Sequence, residues 1–199
     1  MRPNRLSLLD RVANISDRTT LPKPAELVEA LLDLEKSAKK EKVNYNFAEL
    51  LGCWNLRFVT GTKKSRQKVG IVLGAGRYIP QFIKIQITYK QNVDSTNTGR
   101  VTNSVKLGLL HLSLSGPVEF VSPRNILAFD FTSLRVEIFG LKIYDGYIQN
   151  GAAREEDFYH AKLAERAFFS YFVIEENAIA ARGKGGGLAL WIRDSNHEA

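Results

Sequence analysis

The sequence predicts a mainly β protein: an antiparallel barrel or sandwich with a helix at its N-terminal end and a short helix ahead of its last strands. Three observations predict it. From residue 48 onward, apolar side chains recur at every second position for most of the chain. Spacers with turn chemistry, "DSTNTG", "SGP", "SPRN" and "YDG", separate several of these runs. Before residue 47 the apolar period is helical instead. Many strands at close spacing build a sheet that closes on itself or packs on a second sheet. The chain divides accordingly into a helical segment, 1–47, packing on a β domain, 48–195, with a disordered tail, 196–199.

The elements follow in order. The opening "MRPNRLSLLDRVANIS" has the arginines and serines of a plastid transit peptide, but Asp10 and Asp17 are out of character for one. It reads as an uncleaved, locally helical start. "PAELVEALLDLEKSAKKEK" places Leu27, Ala30, Leu31, Leu34 and Ala38 on one helical face, with Pro24 in the first turn and lysines at the negative pole of the helix dipole. The run "GCWNLRFVTG" sets Trp54, Leu56 and Phe58 on one face of a strand. In "RYIPQFIKIQITYK", Ile79, Ile83, Ile85, Ile87 and Tyr89 alternate with Phe82, Lys84, Gln86 and Thr88, so one face is built to be buried. Further strands are expected at 101–115, 118–121, 126–131, 134–139, 141–148, 168–174 and 187–193. "AAREEDFYHAKLAERAFF" begins acidic and ends basic, which predicts the short helix.

Composition narrows the function classes. The 199 residues carry 28 Lys and Arg against 21 Asp and Glu, a net charge of +7 that attracts nucleic acid, anionic lipid or acidic partners. Basic residues gather at 35–42 and 61–68. A single cysteine, Cys53, excludes an internal disulfide and a thiolate metal cluster, so the chain reads as intracellular and not secreted. No apolar run reaches the roughly 18 residues a membrane-spanning helix needs. Nucleic acid is disfavoured, because Phe82 and Tyr89, the aromatics nearest Arg77, Lys84 and Lys90, fall on opposite strand faces.

Catalytic and metal chemistry find little footing. The glycines Gly183, Gly185, Gly186 and Gly187 precede an alternating Leu188, Leu190 and Ile192, a strand rather than the helix a phosphate loop opens. His111, His160 and His197 stand in unrelated contexts, so no metal site is expected. Cys53 has no local histidine and no Gly-x-Ser-x-Gly elbow occurs. Glu119, Asp130, Glu137 and Asp145 are scattered, and spacing pairs none of them. The reading is a protein without catalytic residues or cofactor.

The pair Gly52 and Trp54 at the head of the first strand, with an arginine late in the chain, resembles the lipocalin and calycin arrangement. There the tryptophan closes one end of a barrel and the arginine packs across its ring; Arg182 and Arg193 are both candidates. The longer match, Leu50 or Leu51, Gly52, Trp54, Leu56, Phe58 and Thr60, preceded by a helix like "AELVEALLDLEKSAKK", resembles the opening of the fibrillin family, the plastid lipid-associated proteins. Arg182, Gly183, Gly186, Gly187 and Leu188 are similar to its closing motif. Ala178, Ile179 and Ala180 depart from the family's Leu-Arg-Ile-like step, and "GAAREEDFYHAKLAERAFF" is a longer insertion, placed here over a barrel mouth.

The resemblance implies a lipocalin-like barrel in a cyanobacterium or plastid, cytoplasmic or stromal, associated peripherally with thylakoids or lipid bodies and with photoprotection. It implies a hydrophobic ligand: a lipid, an isoprenoid quinone or a carotenoid. On that reading the barrel lining draws on Phe58, Ile83, Ile85, Ile87, Leu109, His111 and Phe129, with His111, aided by Arg57 or Gln81, orienting a polar head. Lys63, Lys64, Arg66 and Lys68 form a basic patch for anionic membrane, each worth about 1 kcal/mol near the surface. The alternatives are a calycin-type bilin lyase, or an assembly factor that binds a photosynthetic protein and has no internal ligand.

Overall fold

Strand pairing carries the architecture of the computed structural model, which describes residues 5–13, 21–61 and 76–194. Among these residues the strands are β1 (Gly52–Thr60), β2 (Gly76–Tyr78), β3 (Ile83–Gln91), β4 (Thr98–Leu107), β5 (Leu110–Val121) and β6 (Ile126–Phe129). They continue as β7 (Ser133–Ile138), β8 (Leu141–Tyr147), β9 (Ala167–Ile174), β10 (Ala178–Gly183) and β11 (Leu188–Arg193). Eight of them, in the order β4, β3, β1, β11, β10, β9, β6 and β5, form an antiparallel ring that the β4–β5 pairing closes. The fold is a β-barrel.

Two additions modify the ring. The short β2 pairs with the end of β1, where β3 has already separated. The hairpin of β7 and β8 pairs with the first half of β5, leaving β6 its second half. Strands β3, β4, β5, β7 and β8 thus extend past one end of the barrel as a wing. β10, "AIAARG", is an element that alternation did not announce, because its alanines carry no contrast between faces. Two expected boundaries also move. The run 101–115 breaks at Gly108, whose positive φ of 56° opens a tight hairpin, while "SGP" lies inside β5. Gly116 there faces the Asp130 carbonyl so closely that a Cβ would stand 2.2 Å from its oxygen.

The barrel wall separates two cores. Inside, Trp54, Tyr89, Phe120, Tyr171 and Trp191 pack with Ile87, Val101, Val118, Leu127 and Ile179. The 3-10 helix Phe47–Leu50 plugs this end, with Phe47 stacked on Phe120 and edge-on to Tyr89. Outside, α1 (Arg5–Ala13) and α2 (Pro24–Glu41) cover the opposite face of β1 and β9 to β11. Leu27, Val28 and Leu31 of α2 meet Phe172, Val173, Ala180, Leu188, Leu190 and Ile192. The α2 face is the one its 3.6-residue period marks.

Two β-bulges decide which side chain enters which core. Leu56 lies opposite Trp191 but Phe58 opposite Leu190, so Arg57 is an extra residue and the parity of β1 reverses there. Phe58 therefore turns outward, against Tyr78 with ring centres 5.1 Å apart, and belongs to the helix-covered core rather than the barrel lining. A second slip between Ala180 and Ala181 puts Phe172 and Val173 both on the outer face of β9.

The short helix α3 (Gly151–Asp157) is present before β9, but it does not cover a barrel mouth. It lies on the outer side of β4 to β6. Arg100 pairs with Glu155 at 2.7 Å, Thr132 donates to Glu155 at 2.6 Å, and Arg154 grips Asp130. Arg166, from the loop that follows, stacks on Phe158 and pairs with Glu119. Up to Arg166 the insertion has its charged partners on the outer surface, and it rejoins the inner core where β9 begins, with Phe169 against Phe129 and Trp191.

Candidate functional site

The two ends of the barrel differ in chemistry. At the plugged end Trp54 is fully buried and donates from Nε1 to the Leu50 carbonyl at 2.8 Å. Arg193, opposite it on β11, holds its guanidinium 4.0 Å from the indole centre and donates to the carbonyls of Leu51 and Glu176. Gly52 has φ of +112°, and a Cβ there would lie 2.9 Å from Arg193 Nη1. Of the two candidate arginines, Arg193 closes the barrel. Arg182 is elsewhere, on the outer face, paired through two nitrogens with Glu35 of α2.

Toward the other end the inward face stays apolar while burial falls. Ile87 is 3% exposed, but Ile85 and Ile83, its neighbours on the same face, are only half-buried. Register extends this face across the wing: Ile85 lies opposite Val105, Val105 opposite Leu112, and Leu112 opposite Val136. Leu114 and Leu134 form the adjoining pair. All of these aliphatic side chains are half-buried. Phe129 and Phe131, in contact with each other, join the inner core from β6 and the residues after it. The result is a half-buried apolar face that runs from the aromatic plug out over the wing, called the trough below.

One polar side chain interrupts it. Asn103 lies opposite both Ile87 and Leu114, between the packed plug and the half-buried trough. Its Oδ1 is buried and has no hydrogen-bond partner among the described residues. A buried unpaired carbonyl costs about 1–3 kcal/mol, so this acceptor is an expensive feature of an otherwise apolar surface. Sequence reading passed over Asn103, although "RVTNSVKL" carries the signal: an asparagine in phase with Val101 and Val105.

The remaining expected lining residues lie elsewhere. Leu109 sits in the β4–β5 turn and is 61% exposed. His111 is on the outer face of the wing, opposite Lys106 and Glu137. The cause is the two-residue turn: Leu107 pairs with Leu110, so inward positions are odd-numbered in β4 and even-numbered in β5. Arg57 and Gln81 do meet, but in an outer cleft of about 310 Å³ with Val12, Leu21, Tyr78, Ile79 and Pro80, away from His111. Burial lowers the Arg57 guanidinium from its ordinary pKa and Asp194 opposes that shift. In the same cleft burial pushes the Tyr78 phenol up to about 12, and its hydroxyl donates to the Pro22 carbonyl at 2.8 Å. Lys63, Lys64, Arg66 and Lys68, the expected membrane patch, lie outside the described residues, as does the tail 196–199.

The outer face of the wing gathers charge instead. Glu137 holds His111 Nδ1 at 3.0 Å, and His111 Nε2 stands 3.4 Å from Ser113 Oγ. This order of groups is that of a hydrolase triad, but acyl transfer also needs backbone donors aimed at an oxyanion. Strand β5 is paired on both edges here, with β4 and β7, so its amides are consumed by the ladders. Among the described residues no cluster of three or more metal-ligating side chains occurs, and no helix is long and apolar enough to cross a membrane.

No family model matches the sequence, and no curated protein matches it either. Among solved structures, a redesigned beta barrel, mFAP1, bound to DFHBI, is similar at 9% identity with a TM-score of 0.32, over 74% of this chain and 96% of that one. The barrel described here rests on its own strand pairing, not on that likeness.

Proposed function

We propose that this protein is a fibrillin-type barrel that binds, without catalysis, a hydrophobic ligand such as a lipid, an isoprenoid quinone or a carotenoid at the apolar trough of its inner face. One observation carries the reading: the inward face remains aliphatic from Ile87 through Ile85 and Ile83 while its burial falls, so apolar surface is held open where packing would otherwise fill it. Binding sites of this kind are mostly apolar with a few orienting polar groups. Asn103 is that group, in the place the sequence reading gave to His111, and it favours a ligand whose polar end hydrogen-bonds to a side-chain amide. The Trp54 and Arg193 closure supports the family reading, and a site on thylakoid or lipid-body membranes follows from the same resemblance.

Binding is tested by titrating the full chain with a fluorescent polyene fatty acid, then exposing it to a pigment and lipid extract and identifying what it retains by mass spectrometry. Ile85→Trp fills the trough and abolishes uptake while the circular dichroism spectrum persists. Uptake unchanged by that substitution overturns the site.

A further inference from the structure

Eight of the eleven exposed large apolar side chains among the described residues belong to two adjacent hairpins, β4–β5 and β7–β8. This concentration is not what chance scatter of surface hydrophobics gives. At the tips, Leu109 is 61%, Phe139 72% and Leu141 68% exposed. The two tips are one rigid unit, since Leu110 pairs with Ile138 and the Phe139 amide donates to the Leu109 carbonyl at 3.1 Å.

Phe139 is unusual in its backbone as well. It has φ of +54° and Gly140 φ of +76°, the conformation of a two-residue hairpin turn in which the first position favours asparagine or aspartate. A bulky aromatic is strained there. An exposed, strained phenylalanine is kept by neither burial nor turn preference, and such outliers point to function.

Behind the tips the chemistry changes sign. Lys106 and Lys142 occupy the outer face of the same strands, with Lys84 of the neighbouring β3 opposite Lys106 and Glu137 opposite Lys142. Lys84 is paired with Asp194 at 2.9 Å and Lys142 with Asp145 at 3.3 Å, so Lys106 is the lysine of this group most directly offered to an anion. The apolar tip with lysines a few residues up the strands matches an anionic lipid surface, whose hydrocarbon accepts Leu109, Phe139 and Leu141 while its headgroups meet the lysines. We infer that the paired β4–β5 and β7–β8 tips are the surface by which this protein docks on anionic lipid. Leu107, Leu110 and Ile138 share the inward face with Leu112 and Val136, so the docked tip continues into the trough without a polar break. The docking surface stands on its own observations and does not require the ligand reading.

The test is sedimentation of the full chain with phosphatidylcholine vesicles, with and without phosphatidylglycerol, at low and high salt. Binding to the anionic vesicles, reduced by salt, is expected. Phe139→Asn relieves the turn strain, so the fold is retained, yet it lowers binding at least tenfold; Lys106→Gln lowers it about fivefold. Phe139→Asn with wild-type affinity, or no preference for anionic vesicles, overturns the proposal. A dimer in gel filtration that Phe139→Asn converts to a monomer also overturns it, naming a second copy as the occupant. Loss of vesicle binding with fatty-acid uptake intact leaves the trough standing and tests the tips alone.

Discussion

Arg193 lies over the ring of Trp54, 4.0 Å from guanidinium carbon to ring centre, and both side chains donate to the backbone of the same closing segment, at Leu51 and Leu50 respectively. The stack therefore does two things at once. It covers the indole with a weakly hydrated cation, and it ties β1 and β11 to the 3-10 helix that plugs the barrel.

Removing the cation while keeping its length isolates that role. Arg193→Met is expected to cost about 1–2 kcal/mol in denaturant unfolding and to shift tryptophan emission. Gly52→Ala is expected to cost a similar amount, since its backbone disfavours L side chains and its Cβ would press on Arg193 Nη1. Arg182→Met serves as the contrast: it destabilises through α2 and leaves the emission of Trp54 in place. Equal spectral effects of the two substitutions would refute the assignment.

The Glu35 pair with Arg182 gives the fold an acid-sensitive joint between α2 and the barrel. Hydrogen bonds from Arg182, with Lys39 adding to them, hold the Glu35 carboxyl below its ordinary value of 4.5 against the opposing effect of burial. A carboxyl lowered in the folded state contributes stability above its unfolded pKa, and that stability is lost as pH falls through the folded value. Glu35→Gln is therefore expected to cost about 2 kcal/mol near neutral pH and progressively less below 4.5. Urea midpoints measured across that range check it; a constant difference between the two proteins would locate the effect elsewhere.

The barrel, the α2 face and the closing tryptophan were legible because each follows from a period or a short motif. What was not legible is parity. His111 and Leu109 share the odd phase of Val101 and Val105, and only the turn at Gly108 reveals that β5 carries the opposite phase. Phe58 shares the phase of Trp54 and Leu56, and only the bulge at Arg57 turns it outward. A shift of one residue exchanges core for surface; the turn is marked only by the single Gly108, and the bulge at Arg57 leaves no compositional mark. Ile83, Ile85 and Ile87 lie within an uninterrupted strand, so their shared face follows from alternation alone.

That bulge makes Phe58 a sharp test of the two-core description. Fully buried against Tyr78 and the helix-covered core, it is expected to lose about 3–5 kcal/mol on replacement by alanine. The milder Phe58→Leu is expected to lower stability without changing uptake of the fatty-acid probe, because the side chain does not reach the trough. A parallel loss of uptake in a folded Phe58→Leu protein would return this residue to the barrel interior.

Asn103 sets stability against recognition. Its Oδ1 is buried with no partner among the described residues, in register with Ile87 and Leu114. Replacing it by leucine removes the unpaired acceptor and extends the apolar face, so Asn103→Leu is expected to stabilise the empty protein by about 1 kcal/mol. The same change removes the group that orients a ligand's polar end. A long-chain alcohol should then lose its advantage over the matching methyl ether, which cannot donate to the amide, while wild type binds the alcohol about tenfold better. Equal binding of alcohol and ether by wild type would leave Asn103 as a packing fault rather than a recognition group. A stabilised variant that has lost the discrimination would instead explain why an unpaired amide is held at the boundary between the plug and the trough.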